Sequence, residues 1–463
     1  MLSEADIERA GGVTIPKLTS RMGNDQLVRE GLLPRNWEKF PLGEGERYGL
    51  VMSNCRINTD GPATSGNQTV AVSGHSAYED LREFAVVIGN FNGARNTGKR
   101  EQAGWDTSLL LGAQYPGLNE AGRVQLLSAG SRAIGMGSGR FVCTDFMPMD
   151  VLQGTLFQLI QYIRGTGGYS YENMASNAEW GEGSTDTVAD RTFPGSGALP
   201  AARSVNVWPY AIIARTRLPS ALALGDSQAQ GTADFYQAGG PDALPTAGFG
   251  MISRALSPFV PVLKGGIAGT NLAELSAPGN LRYRLTAARQ GWVTNVIHQG
   301  GVNSLGSMTA DQMKAALIDI WQECADALAA GAGGKVFQTT ITPSTVTSTD
   351  NFVTLAGQTP NAANPIRVAV NDWLRDGSPA VLSGNRLVPA PIGTVGALRS
   401  GDVGHPLSGG IFDVADVVES TRNSGIFKVN GTANWMTNDG LHFPRPAVIY
   451  IRDSGVFDHS RLA

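Results

Sequence analysis

Charge is the first thing this 463-residue chain is short of. Charged residues make up 16 %, against roughly 25 % in an average soluble protein. The 36 Lys and Arg nearly balance the 40 Asp and Glu, for a net charge of −4. The electrostatic footprint that tracks a phosphate backbone is missing, so no nucleic-acid partner is expected. Cysteine is scarce as well: Cys55, Cys143 and Cys324 lie far apart, with no CxxC. That argues against a disulfide framework or a zinc site, and no metal is expected. No run approaches the ~20 apolar residues of a membrane span. The opening MLSEADIERAGG lacks the basic-then-apolar order of a signal peptide. A soluble chain is expected, with its location open between the cytoplasm and a virion or extracellular setting reached by another route.

Turn formers are abundant instead, with 59 Gly and 24 Pro. Residues 1–50 carry mixed charge and no sustained period, and read as an arm or linker. Over 51–215 the texture is β-like. Val70 and Val72, then Phe84, Val86 and Ile88, recur at a spacing of two, as in half-buried strands. Frequent turn clusters between short strands suggest a β-rich, sandwich or jelly-roll unit for substrate binding or assembly. The Gly-, Ser- and Asp-rich stretch from Asn173 to Ala202 reads as a long loop.

The pattern changes near Pro219. Ala221–Leu224, Gly291–Ile297 and Lys335–Ile341 read as strands. Between the last two, Thr309 and Gln312 form a capping box. Met313, Ala316, Leu317, Ile320, Trp321, Cys324 and Leu328 then follow at helical spacing, up to Gly331. A second helix is expected over Asn364–Arg375. Strands alternating with helices imply a parallel sheet covered on both faces, with sites at the carboxyl ends of its strands. Residues 216–463 are thus expected to form one α/β unit.

Four short blocks of this second half carry chemistry. Gly225-Asp226-Ser227-Gln228-Ala229-Gln230-Gly231 follows the first apolar run, where a strand-to-helix turn would expose the Ser227 hydroxyl and offer backbone donors to an anion. Gly265-Gly266-Ile267-Ala268-Gly269-Thr270-Asn271 allows close backbone approach to a ligand. Gly300-Gly301-Val302-Asn303-Ser304 follows another strand, and Asn438-Asp439-Gly440-Leu441-His442 lies near the C-terminus. The three-residue spacing lets Asp439 hold the His442 imidazole. A histidine within reach activates a serine hydroxyl, and the carboxylate fixes its tautomer. The charge that develops on a substrate carbonyl needs preorganised donors, for which Ser227 N–H, Gly269 N–H and the Asn303 amide are candidates. Each has an ordinary alternative: an N-cap for Ser227, a surface turn for Asp439 and His442, turn residues for Gly269 and Asn303.

In this order the blocks resemble the SGNH (GDSL) hydrolase family. The resemblance implies a flavodoxin-like three-layer α/β fold over 216–463, following the β-rich unit, and acyl-ester hydrolysis without a cofactor. By position it implies Ser227 as nucleophile, Asp439 and His442 as the rest of the triad, and Ser227, Gly269 and Asn303 as the oxyanion hole. It departs from the family pattern in having Ser304 rather than Asp after Asn303, and its tail, Gly455 to Ala463, has no family role. The expected function is a serine esterase removing an acyl group, foremost acetyl, from a carbohydrate or polysaccharide. The alternatives are a virion (phage tail) or cell-surface structural protein carrying a glycan-trimming or inert hydrolase, and a lipase or thioesterase of the same fold. The first half could then also serve homo-oligomer or virion assembly.

Overall fold

The computed structural model describes residues 30–59, 68–93, 101–104, 106–114, 122–165, 180–186, 189–201, 206–234 and 249–463. Most of the arm expected over 1–50 therefore lies outside the described residues, as do the Asp60-Gly61-Pro62 and 166–168 turn clusters. The strands used below are β1 (Arg47–Leu50), β2 (Gln68–Ser76), β3 (Leu81–Gly89), β4 (Thr107–Gln114), β5 (Leu156–Gly165), β6 (Gly183–Asp186), β7 (Ala211–Thr216), β8 (Ala221–Gly225), β9 (Val262–Gly266), β10 (Asn295–Gln299), β11 (Lys335–Thr339) and β12 (Gly410–Phe412).

The first half builds two antiparallel sheets. One runs β1-β7-β3 and continues to Met147–Val151; the other runs β6-β2-β5-β4 and continues to Val124–Leu126. Phe84 of β3 and Phe157 of β5 meet between them with ring centroids 5.4 Å apart. The spacing of two predicts half-buried strands, yet β2 and β3 are buried along almost their whole length. The inward set, such as Ala71, Phe84, Val86 and Phe157, joins the main core. Val70 and Val72 form a second small cluster with Ile160 and Tyr162, against which Leu199 packs. The described parts of the stretch expected as a loop, 180–186 and 189–201, thus cover the outer sheet face, and β6 adds a strand to it. The arm also ends inside the fold, since β1 pairs with β7 from Arg47↔Thr216 to Leu50↔Ile213.

The second half is a five-stranded parallel sheet in the order β9-β8-β10-β11-β12. Its helices include α1 (Ser227–Gln230), α2 (Met251–Leu256), α3 (Leu272–Leu275), α4 (Ala310–Ala330), α5 (Asn364–Arg375) and α6 (Arg445–Asp453). The ALALG of β8 shows how sequence divides the two faces. Leu222 and Leu224 point into the core that holds α4, with Met313, Leu317 and Trp321. Ala221 and Ala223 point the other way, where α2 and α6 pack through Ile252, Leu256, Val448 and Ile451. The Thr309–Gln312 capping box opens α4 with both bonds made, and Gly331 follows its last residue.

Two strand expectations need correction. The run from Gly291 enters the sheet only at Asn295, because Trp292 is a buried turn residue whose carbonyl accepts the Leu50 N–H. β11 stops at Thr339, because the Asn371 side chain takes both backbone groups of Ile341.

The halves share one core. Val51, Cys55, Phe91 and Tyr210 belong to the same cluster as Leu263, Trp292 and Leu317. Residues 55–57 run parallel along the free edge of β9, with Ile57 N–H donating to Lys264 O and Lys264 N–H to Cys55 O, both at 3.0 Å. Covering a sheet edge in this way removes a template for unwanted strand pairing. The tail also has structural work: Leu462 is buried, its carbonyl accepts from Asn295 Nδ2 at 2.9 Å, and Lys335 Nζ reaches the carbonyls of Arg461 and Ala463.

Candidate active site

The four blocks lie at the carboxyl ends of β8, β9 and β10 and in the loop before α6. Block one turns from β8 directly into α1. The N-cap of α1 is Asp226, whose carboxylate accepts the Gln228 N–H at 2.9 Å. Ser227 is therefore the first helical residue, and its hydroxyl is left to another partner. α1 can press onto β9 because Gly266 has no side chain: a Cβ there would lie 2.4 Å from the Gln230 nitrogen.

That partner is His442. Its Nε2 lies 2.8 Å from Ser227 Oγ, and its Nδ1 lies 2.6 Å from Asp439 Oδ2. The other Asp439 oxygen accepts the backbone N–H of Leu441 at 2.9 Å and of His442 at 2.8 Å. A carboxylate can only accept, so Nδ1 carries the proton and Nε2 is left as acceptor for the serine O–H. Burial alone would raise the Asp439 carboxyl, but hydrogen bonds from the His442 ring and the two backbone N–H groups outweigh it and pull it down to about 2. Asp439 is ionised at neutral pH, and its side chain is 47 % exposed.

Gly269 takes the left-handed φ of 76° at the turn after β9, a conformation that favours glycine. Asn303 lies in a short 3-10 turn after β10, and its Nδ2 donates to Thr270 O at 3.0 Å. That bond joins blocks two and three and spends one of the two amide donors of Asn303. Ser304 is buried, and its hydroxyl accepts the Leu272 N–H at the start of α3 at 2.9 Å. Gln230 ties block one to block two, accepting the Ala268 N–H at 2.8 Å, and donates to Thr59 Oγ1 of the first half at 3.0 Å. Ser227, His442 and Asp439 thus form one hydrogen-bonded chain, while Gly269 and Asn303 lie on adjoining loops.

Four side chains at the site are missed by motif reading. Asp226 is wholly buried, and burial pushes its carboxyl up to about 6, against opposing help from Gln228, Gln299 and His442. Gln299, Gln228 and Thr342 form a buried polar group beneath the triad. His298 is a buried structural histidine held on Gln338, with burial lowering it to about 4. Trp435 packs on Tyr450 of α6. The three cysteines are all buried free thiols. Among the described residues no group of His, Cys, Asp and Glu could hold a metal ion, and no helix is long and apolar enough to cross a membrane.

No family model matches the chain, and no curated protein matches it. Several solved structures do. A peptidoglycan O-acetylesterase aligns over 95 % of this chain and 87 % of its own, at 12 % identity and a TM-score of 0.33. A carbohydrate acetylesterase from Sinorhizobium meliloti aligns over 53 % of this chain and 100 % of its own, at 14 % identity and a TM-score of 0.30. A carbohydrate esterase family 3 protein from Talaromyces cellulolyticus aligns over 53 % and 98 %, at 15 % identity and a TM-score of 0.28.

Proposed function

We propose that this chain is a serine esterase of the SGNH type that removes O-acetyl groups from a carbohydrate or polysaccharide. The observation that carries the reading is the unbroken chain Ser227 Oγ, His442 Nε2, His442 Nδ1, Asp439 Oδ2, with links of 2.8 and 2.6 Å. Ser227 Oγ attacks the ester carbonyl as His442 Nε2 takes its proton. The tetrahedral oxyanion is held by the Ser227 and Gly269 N–H groups and the second Asn303 N–H. Collapse breaks the C–O bond, and His442 returns the proton to the leaving alcohol. Water, deprotonated by His442, then frees acetate from the acyl-serine. The choice of acetyl rests on the resemblance of the four blocks, and that of a sugar alcohol on the β-rich first half and the lack of an amphipathic, lipid-facing segment in the sequence.

p-Nitrophenyl acetate, butyrate and octanoate order the acyl preference. Acetate is expected to give the highest kcat/KM, with activity abolished in Ser227→Ala. An octanoate optimum would point to a lipase instead. Activity that survives in Ser227→Ala would remove the triad reading.

A further inference from the structure

Gln228, the residue after the candidate nucleophile, is buried, and the hydrogen bonds of its carboxamide go to Gln299, Thr342 and Leu441 rather than to the side chains of Ser227 or His442. Its carboxamide nevertheless sits in a directional chain of hydrogen bonds. Gln299 Oε1 accepts the backbone N–H groups of Asp226 at 3.3 Å and Ala229 at 3.1 Å. Gln299 Nε2 donates to Gln228 Oε1 at 3.1 Å. Gln228 Nε2 donates to the carbonyl of Leu441 at 2.8 Å and to Thr342 Oγ1 at 3.0 Å. Backbone groups fix both ends: N–H groups can only donate, and the Leu441 carbonyl can only accept. Neither amide can therefore turn over without leaving a buried polar group unpaired, which costs roughly 1–3 kcal/mol each.

Leu441 immediately precedes His442. A carbonyl tied to the second residue of α1 fixes the backbone that carries the imidazole relative to the helix that carries the serine. From the Asp439 side the same loop is held by Gly440, whose carbonyl accepts the Thr345 N–H at 2.9 Å. Asp439 itself is about half exposed, and its carboxylate bonds only within this loop, so it orients the imidazole without tying the loop to α1. The buried amide supplies that second restraint.

We propose that Gln228 is a positioning residue, a clamp that holds the Leu441–His442 backbone so that Nε2 stays within hydrogen-bond reach of Ser227, with Thr342 and Gln299 setting its orientation. The proposal rests on the esterase reading for its kinetic consequence, but its geometric content does not. The clamp touches no substrate, so its loss lowers kcat and leaves KM unchanged. Displacement of a catalytic group by ~1 Å can cost ~10²-fold.

The test is Gln228→Met, which keeps the shape and removes the donors, with Thr342→Val as a milder second variant. In Gln228→Met kcat is expected to fall ~10–10²-fold with KM unchanged. Thr342→Val should show a smaller loss of the same kind, and the double variant should lose less than the two losses combined, because both act on one network. The low-field proton resonance of the His442 Nδ1–H held on Asp439 should broaden or shift in Gln228→Met at unchanged Tm. An unaltered resonance together with parental kcat would overturn the clamp, as would a raised KM at unchanged kcat. A parent that hydrolyses none of the esters, yet has the resonance that Gln228→Met loses, would overturn the esterase reading and leave the clamp standing.

Discussion

Two carboxyl groups near the triad behave in opposite ways, and environment alone separates them. Asp439 is held at about 2 by the donors around it, while burial lifts Asp226 to about 6. The linkage signs follow. Asp226 is raised above its ordinary value of 3.8, so the folded state keeps a proton that the unfolded chain has released, and stability drops as pH rises between those two values. In Asp226→Asn that component vanishes. The Tm of the parent relative to the variant should therefore fall between about pH 4 and pH 7; parallel Tm curves would exclude it. Asp439 works the other way, giving stability that is present above its ordinary value and lost as pH falls toward about 2. Its exposure also has a kinetic consequence. Water screens its attraction for the imidazolium, so Asp439→Asn should retain more kcat than His442→Ala, and the reverse order would contradict the assignment. Asn303→Ala should lower kcat by ~10²–10³ with little change in KM, as removal of an oxyanion donor does. At this scale Ser227, Asp439 and His442 stand out in the sequence because spacing and residue type suffice to suggest them. Gln228, Gln299 and Thr342 do not, because an amide or hydroxyl has no motif and its role depends on partners far away in sequence.

Elements with local signals are the legible ones. α4 begins at its capping box and ends at Gly331, because cap and period belong to the segment itself, and α5 occupies Asn364–Arg375 with a proline in its first turn. Strand ends are decided by distant groups: the Asn371 side chain ends β11, and Leu50 claims the Trp292 carbonyl ahead of β10. The spacing of two in β2 and β3 predicts half burial, yet both faces are covered, since periodicity reports alternation and not what lies on the far side. Contact between elements sets the strictest demands. Gly266→Ala would drive a methyl against the α1 backbone, 2.4 Å from the Gln230 nitrogen. Overpacking of this kind should cost about 1–3 kcal/mol, measured by denaturant unfolding, and should lower activity because α1 carries Ser227. An unchanged midpoint would show that α1 can shift freely.

Across the whole molecule, the two halves expected from the sequence are joined by many contacts. The composition change near Pro219 falls where antiparallel sheets give way to a parallel one. Yet residues 55–57 line the edge of β9, Tyr78 Oη donates to Ser257 O at 2.6 Å, and Thr59 accepts from Gln230 beside the candidate nucleophile. No sequence signal announces these contacts, because each joins segments more than a hundred residues apart. A fragment of residues 217–463 would expose the β9 edge and the apolar surface of Leu263 and Trp292. It should be poorly soluble or melt well below the full chain in a thermal scan; an equal Tm would show that the second half folds alone.

The most direct test of the central claim is mass spectrometry of the full chain after reaction with a fluorophosphonate, which modifies only an activated serine. The account predicts one adduct, on the peptide containing Ser227, and its loss or strong slowing in His442→Ala. An adduct on another residue, no adduct, or equal labelling in His442→Ala would contradict it.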